Sequence, residues 1–262
     1  MGILNVTPDS FSDGGQHLDT QAAISGALRM EDAGAAIIDI GGESTRPYSQ
    51  PVTVVEELRR VIPVIERLAD RLAIPISIDT SKAQVAEAAL NAGAEIINDI
   101  TGLAGDPMML EVAQNSTAGI CIMHMQGTPQ TMQDAPHYQD VVQEVFAYLQ
   151  QRTEDCVHAG INRTRICLDP GIGFGKSHQH NLELLRKMRS FHGLNRPLLV
   201  GHSRKGFIGK CIGNLETDRM AGTLGVSLAM AAAGVQILRV HDVAQTVQAL
   251  RLFAICEGFA TP

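Results

Sequence analysis

Eight short apolar runs, each ending in a polar or charged residue, constrain this chain more than any other feature. They are Gly2-Ile3-Leu4-Asn5, Ala36-Ile37-Ile38-Asp39, Ile76-Ser77-Ile78-Asp79 and Glu95-Ile96-Ile97-Asn98-Asp99. Next come Ile120-Cys121-Ile122-Met123, running into His124, and Arg165-Ile166-Cys167-Leu168-Asp169. Leu198-Leu199-Val200 runs into Gly201-His202-Ser203-Arg204-Lys205, and Gln236-Ile237-Leu238 into Arg239-Val240-His241. Continuous apolar runs of this length belong to strands buried on both faces of a parallel sheet. Eight of them, each with a functional group at its C-terminal end, predict an α/β fold: a (β/α)8 TIM barrel with its active site on the top face. A doubly wound open sheet would gather its ligand groups at one switch point, whereas here they are spread over every strand end.

The length agrees. A chain of 262 residues is close to the ~250 of one such barrel. No Pro/Gly/Ser-rich linker or charge block divides it, which predicts a single domain over 1–262. Three stretches share one grammar: Asp32-Ala33-Gly34 leading to Asp39, Asn91-Ala92-Gly93 to Asn98, and Ala232-Ala233-Gly234 to Arg239. Each closes a helix with a glycine able to take the left-handed conformation, followed by a strand. His158-Ala159-Gly160 repeats the step before Asp169 with a longer connection. Helices are expected at 19–33, 53–71, 82–92, 107–116, 137–159, 179–191, 219–233 and 242–256. Thr53 and Glu56 fit a capping box, and Leu58, Val61, Ile62 and Ile65 give a stripe that packs on the barrel.

The net charge of −7 comes without a basic run, which argues against a nucleic-acid surface. It leaves room for an anionic small molecule held by a few converging cations. No apolar stretch reaches the ~20 residues of a membrane span and no signal peptide is legible. The five cysteines form no CxxC and read as small buried hydrophobes of a reducing, cytoplasmic compartment. His178 and His180 stand in a polar loop and read as solvated. No zinc pattern is present.

Chemistry should sit in the long polar connections. After the first strand comes Asn5-Val6-Thr7-Pro8-Asp9-Ser10-Phe11-Ser12-Asp13-Gly14-Gly15, whose phenylalanine between carboxylates suits an apolar-tipped lid. After the second, Gly41-Gly42-Glu43-Ser44-Thr45-Arg46-Pro47 offers N–H groups, hydroxyls and a guanidinium to an anion. Asp169-Pro170-Gly171-Ile172-Gly173-Phe174-Gly175-Lys176-Ser177 is not a P-loop, because Pro170 stands where the first glycine belongs. The strongest cationic constellation is Ser203-Arg204-Lys205-Gly206, which opens a helix, together with Arg239-Val240-His241. In these barrels that corner is the usual phosphate site. Lys205, flanked by an apolar strand and Phe207-Ile208, should be held in the mouth. Opposite lie Asp79, Asn98 and Asp169, fit either as metal ligands, as an acid/base pair, or as acceptors for a flat heterocycle rich in N–H donors. Asp39 and Asp99 fit structural ion pairs better.

Taken together, these motifs resemble the dihydropteroate synthase family. The first loop from Met1 to Gly15 looks like its first signature, and Gly42-Glu43-Ser44-Thr45-Arg46-Pro47 like its second. Ser77-Ile78-Asp79-Thr80, Ile97-Asn98-Asp99-Ile100, the 169–176 loop, Ser203-Arg204-Lys205 and Arg239-Val240-His241 follow in order. The resemblance implies a folate-pathway transferase that joins 4-aminobenzoate to 6-hydroxymethyl-7,8-dihydropterin diphosphate, releasing diphosphate and giving 7,8-dihydropteroate, with Mg2+ required. It implies that Asp79, Asn98, Asp169 and Lys205 hold the pterin and Arg239 stacks on it. Thr45, Arg239 and His241 would lie near the diphosphate, and Asn5 would reach the Mg2+. Phe11, Pro47, Phe174 and Lys205 would wall the aminobenzoate pocket, with Arg46 and Val240 in the same substrate surface. Lys205, Asp169, Arg239 and His241 are the residues expected to carry the chemistry. A homodimer, built through late helices, is the family expectation.

Three positions depart from the family pattern. Tyr48 stands where a glycine usually follows the Arg-Pro pair, and Gly206 where a serine is common, leaving a backbone N–H for the aminobenzoate carboxylate. The chain also starts inside the first strand, without the segment that usually covers the barrel floor, and reduced stability is the expectation. Rival readings are a corrinoid-dependent pterin methyltransferase and a non-catalytic pterin-binding protein. The first has no use for the Lys205, Arg239 and His241 corner, and the second none for the Asn5 metal position.

Overall fold

The computed structural model describes residues 1–6 and 15–259, with backbone alone at 15–19. Eight strands run β1 Gly2–Asn5, β2 Ile38–Gly41, β3 Ile76–Asp79, β4 Ile96–Asp99, β5 Gly119–Met123, β6 Ile166–Asp169, β7 Leu199–Gly201 and β8 Ile237–Arg239. Helices alternate with them: α1 Gly15–Asp32, α2 Val54–Ala69, α3 Ala83–Asn91, α4 Met109–Gln114 and α5 Val141–His158. They continue with α6 His178–Arg186, α7 Gly206–Ile212, α8 Met220–Ala232 and α9 Val243–Cys256.

β1 to β6 form one parallel sheet in sequence order, and β7 pairs parallel with β8. Two parallel bridges, Leu168 with Leu198 and Gly2 with Val240, join these pieces into a closed barrel. The Leu168 N–H donates to Pro197 O at 2.9 Å and the Ile3 N–H to Val240 O at 3.0 Å. Closure removes both sheet edges and fixes which strand ends face one another. Val240 therefore holds the last strand to the first through its backbone, with its side chain buried, rather than presenting a group to the mouth.

All four predicted glycines take positive φ: Gly34 at 93°, Gly93 at 111°, Gly160 at 92° and Gly234 at 86°. Each turns the chain from a helix into a buried strand, the step that the repeat encodes. The sequence places β2 two residues early. Its run enters the sheet at Ile38 and ends at Gly41, so Asp39 lies one layer inside the barrel rather than at its rim. α5 starts at Val141, capped by Asp140, and not at 137. α6 ends at Arg186, and a 3-10 stretch, Met188–Leu194, completes that connection.

Two helix-level expectations need correction. Thr53 caps α2 by accepting from the Glu56 N–H at 3.2 Å, but Glu56 does not reach back. Its carboxylate lies 2.9 Å from both Arg59 and Arg60, so only half of the box forms. The reciprocal box is at α6, where Ser177 and His180 each bond the other's backbone N–H. His180 is thus a cap packed edge-on against Tyr138, not a solvated side chain. The stripe of α2 also rotates: Glu57, Val61, Val64, Ile65 and Leu68 are buried, while Leu58 and Ile62 are half-buried at its border. Glu57 tolerates full burial because Lys82, opposite it, bonds both Glu57 and Glu43. Of the cysteines, Cys121 and Cys156 are buried, but Cys211 and Cys256 are exposed.

Candidate active site

The strand ends deliver a convergent set of charges. Asp79, Asn98 and Asp169, at the ends of β3, β4 and β6, are all buried. Asp79 stands in register with Asn98 on one side and Gly41 on the other. Arg239, at the end of β8, reaches across the barrel, its Nη2 donating to Asp79 Oδ2 and its Nε to Asp39 Oδ2, each at 2.6 Å. Asp39 Oδ2 also accepts from Asn98 Nδ2 at 3.0 Å. That bond takes one N–H of the Asn98 amino group and fixes the amide's orientation, leaving its carbonyl oxygen as an acceptor with no hydrogen bond among the described residues. Asp39 therefore orients both Asn98 and Arg239. Its other oxygen, Oδ1, is buried without a partner among the described residues.

Burial governs the protonation of these groups. Desolvation pushes Asp79 up to about 7, partly offset by Arg239 and reinforced by Asp39, Glu57 and Asp99. Asp169 is raised for the same reason, against the pull of Lys205 and of the Gly171 N–H, which donates to its Oδ1 at 2.7 Å. Burial works against the Arg239 charge, yet Asp39 and Asp79 outweigh it and the guanidinium stays protonated. Burial raises Asp99 too, to about 6, against the Thr101 hydroxyl and the Thr101 and Leu103 N–H groups that donate to its carboxylate and through which it shapes the following turn.

Lys205 is half-buried in the mouth, as its apolar flanks predict. Its Nζ bonds Ile172 O and sits 4.4 Å from the Phe174 ring centroid. Burial brings it down to about 8, Asp169 opposing the shift. Gly201 lies between these groups, and a Cβ there would meet only ordinary contacts, 3.8 Å from Arg239 Cδ and 3.9 Å from Asp169 Oδ2.

The cationic corner is less free than its sequence implies. Arg204 is engaged bidentately by Asp242, and Arg239 by Asp39 and Asp79. Burial, with Arg204 and Arg239 alongside, lowers His241 to about 4. It is a neutral imidazole whose Nδ1 lies 3.0 Å from Ser203 Oγ. The second loop is also more built than a plain polar connection. Glu43 is spent on Lys82 and the Val52 N–H, and the Ser49 hydroxyl bonds Ser44 O. Thr45 is half-buried, whereas Arg46 and Pro47 are exposed. Phe11, predicted as the lid tip, lies outside the described residues.

Three functional features escaped the sequence reading. Asp39 reads as structural because its position inside the barrel follows only from the register of β2. Lys176, 2% exposed, lies under the glycine-rich loop, its Nζ 2.9 Å from His124 Nδ1 and donating to Phe174 O at 2.9 Å. Gly171 makes this packing feasible, since a Cβ there would lie 1.9 Å from His124 O. The third is the β5–α5 connection, whose turn-rich composition carries no chemical signal.

Among the described residues no cluster of three His, Cys, Asp or Glu side chains could hold a metal. Asn5, half-buried at the end of β1, offers one amide oxygen. A single hard oxygen suits Mg2+, which keeps several waters and binds chiefly through substrate phosphates.

Acceptors on three strand ends, facing Arg239, Lys205 and His241, define a barrel enzyme for a flat heterocycle that carries an anionic group. A profile of the pterin binding enzyme family matches residues 1–241. Dihydropteroate synthase of Escherichia coli (strain K12) is 50% identical over 252 residues, covering 96% of this chain and 89% of that protein. The Xanthomonas albilineans dihydropteroate synthase solved with 4-aminobenzoic acid superposes with a TM-score of 0.92 at 46% identity, covering 100% of this chain and 93% of that one. The same enzyme in complex with 7,8-dihydropteroate gives 0.89 at 44%, covering 100% and 94%. The chain belongs to the pterin-binding enzymes and, within them, to the dihydropteroate synthase family.

Proposed function

We propose that this chain, acting as one domain over 1–262, transfers the dihydropterin-methyl group from 6-hydroxymethyl-7,8-dihydropterin diphosphate to the amine of 4-aminobenzoate. Diphosphate and 7,8-dihydropteroate are the products. The observation that carries this reading is the layout of the mouth: buried Asp79, Asn98 and Asp169 as acceptors, with the Lys205 and Arg239 cations and the neutral His241 imidazole converging on them.

That layout fits ionisation of a carbon–oxygen bond. Asp79, the free Asn98 carbonyl and Asp169 accept from the pterin N–H groups. Their negative charge stabilises the positive charge that grows on the pterin as the bond to diphosphate lengthens. The bonding electron pair leaves on the diphosphate oxygen, which His241, Thr45 and Arg239 receive. The neutral arylamine then gives its lone pair to the methylene carbon and loses a proton. No activated serine or cysteine is required. Arg239 has a double use: paired with Asp79 while the site is free, it can lie over the pterin once the heterocycle takes that carboxylate. Phe174 and Lys205 form one wall of the aminobenzoate slot, with Pro47, Arg46 and Phe11 supplied by the first two loops. Mg2+ would be held by Asn5 together with the substrate diphosphate, where it neutralises the leaving group.

A homodimer through the late helices is part of the proposal. Ile212, Leu215 and Leu252, which are 51%, 54% and 64% exposed, leave apolar surface on α7, its following turn and α9. No helix among the described residues is long and apolar enough to cross a membrane, and a cytoplasmic location is proposed with the rest. The activity is tested by incubating the protein with pterin diphosphate and Mg2+, with and without 4-aminobenzoate. Diphosphate release that depends on the arylamine supports it. A pterin methyltransferase would release none.

A further inference from the structure

The β5–α5 connection, residues 124–140, touches both sides of the aminobenzoate slot. On one side it meets the second loop. The Tyr48 N–H donates to Pro129 O at 3.0 Å, the Tyr48 hydroxyl to Asp134 Oδ1 at 3.3 Å, and Gln130 Nε2 to Ser49 O at 3.3 Å. On the other side it meets the glycine-rich loop. Gln133 Nε2 donates to Gly173 O at 2.8 Å and the Tyr138 hydroxyl to Gly175 O at 2.8 Å. Gly173 and Gly175 flank Phe174, whose ring carries Lys205. The connection is itself tied across, since Gln126 bonds both the N–H and the carbonyl of His137.

Tyr48 makes the second-loop end unusual. Its φ is +63°, in the region where side chains are strained and glycine is not. A tyrosine kept there needs compensation, and the contacts with Pro129 and Asp134 are the ones that this side chain and its backbone make. We infer that the β5–α5 connection is a cross-brace that sets the width of the aminobenzoate slot, with Tyr48 and Gln133 as positioning residues at its two ends. The inference rests on the function proposed above. Neither residue touches the pterin acceptors, so the brace acts on the second substrate alone. Because the two ends work in series, weakening either one loosens the coupling between the walls, although Gln130 and Tyr138 still hold part of each end.

The test uses the full chain with Tyr48→Phe, Gln133→Leu and the double variant. Steady-state kinetics give KM for both substrates and kcat, and calorimetry gives pterin diphosphate affinity. All three variants should raise the aminobenzoate KM about two- to fivefold, the effect of one modest hydrogen bond. Pterin affinity should stay within about twofold and so should kcat. The double variant should be no worse than the weaker single one, the signature of a series coupling. A residue of merely structural importance would instead lower Tm and weaken both substrates. Equal loss for pterin and aminobenzoate, unchanged aminobenzoate KM, or multiplying effects in the double variant would each overturn the brace. A wild-type protein that releases no diphosphate would overturn the proposed function and the brace together, which separates the two failures.

Discussion

Asp79 has two tasks that pull on its protonation in opposite directions. Buried and ringed by carboxylates, it keeps its proton up to about 7, but the pterin N–H groups need the ionised form. Pterin diphosphate affinity should therefore weaken as pH falls through about 7, and calorimetry across that range should show an acid limb absent from Asp79→Asn. The stability sign is the reverse. The folded pKa lies above the ordinary value of 3.8, so Asp79's contribution is full below that value and is lost as pH rises to about 7. Asp79→Ala should cost about 2–5 kcal/mol of pterin binding, as a buried charge-assisted partner does. His241 acts differently: neutral at pH 7, it meets the diphosphate as a hydrogen-bond donor. His241→Ala should weaken pterin diphosphate while leaving the plain pterin alcohol unchanged, and equal weakening of both would remove it from the diphosphate corner. The placement of Asp79, Asn98 and Asp169 was legible because each closes an apolar run, and that of Lys205 because apolar residues flank the segment that opens α7. Asp39 was not, since a two-residue shift in β2 decides whether it reaches the rim or the interior.

At the scale of elements, the connections differ in how firmly they are held. The glycine-rich loop is pinned from beneath by Lys176, whose three donors meet His124 Nδ1, His124 O and Phe174 O. Lys176→Met would leave these acceptors buried and unpaired, at about 1–3 kcal/mol each. Thermal unfolding should show a Tm drop of several degrees, and an unchanged Tm would mean that water replaces the ammonium. Gly206, the first residue of α7, has open space where a Cβ would point. Gly206→Ser should therefore be accommodated without strain, and its hydroxyl should lower the aminobenzoate KM if this N-terminus receives the carboxylate. Periodicity and the αL glycines fixed the barrel units closely, because both depend on local backbone geometry. The Thr53 cap was legible for the same reason. Its failed partner Glu56 was not, because two arginines one turn on compete for that carboxylate. The β5–α5 connection was illegible, since its hydrogen bonds run to loops about 40 and 80 residues away in the chain, as in other long-range loop contacts.

For the whole molecule, the closed barrel brings strand ends from opposite sides to face one small volume, where Arg239 pairs with Asp39 and Asp79 and Lys205 stands apart beside Phe174. Burial pushes Asp79 up to about 7 and Lys205 down to about 8. Turnover should follow a bell whose limbs report loss of the pterin acceptor in acid and of the Lys205 cation in base. Ordered entry is the expected outcome, with pterin diphosphate and Mg2+ first and aminobenzoate second. Tight aminobenzoate binding to the free protein would contradict that order. The central claim is that the bond broken joins carbon to oxygen, so that the bridging oxygen departs with the diphosphate. The direct measurement places a heavy-oxygen label between the methylene carbon and phosphorus of the pterin diphosphate, and follows it by mass spectrometry through turnover with 4-aminobenzoate. The account predicts that all of the label leaves in diphosphate while 7,8-dihydropteroate carries none. Label retained in hydroxymethyl-dihydropterin, with no arylamine adduct, would show phosphorus–oxygen cleavage and contradict it.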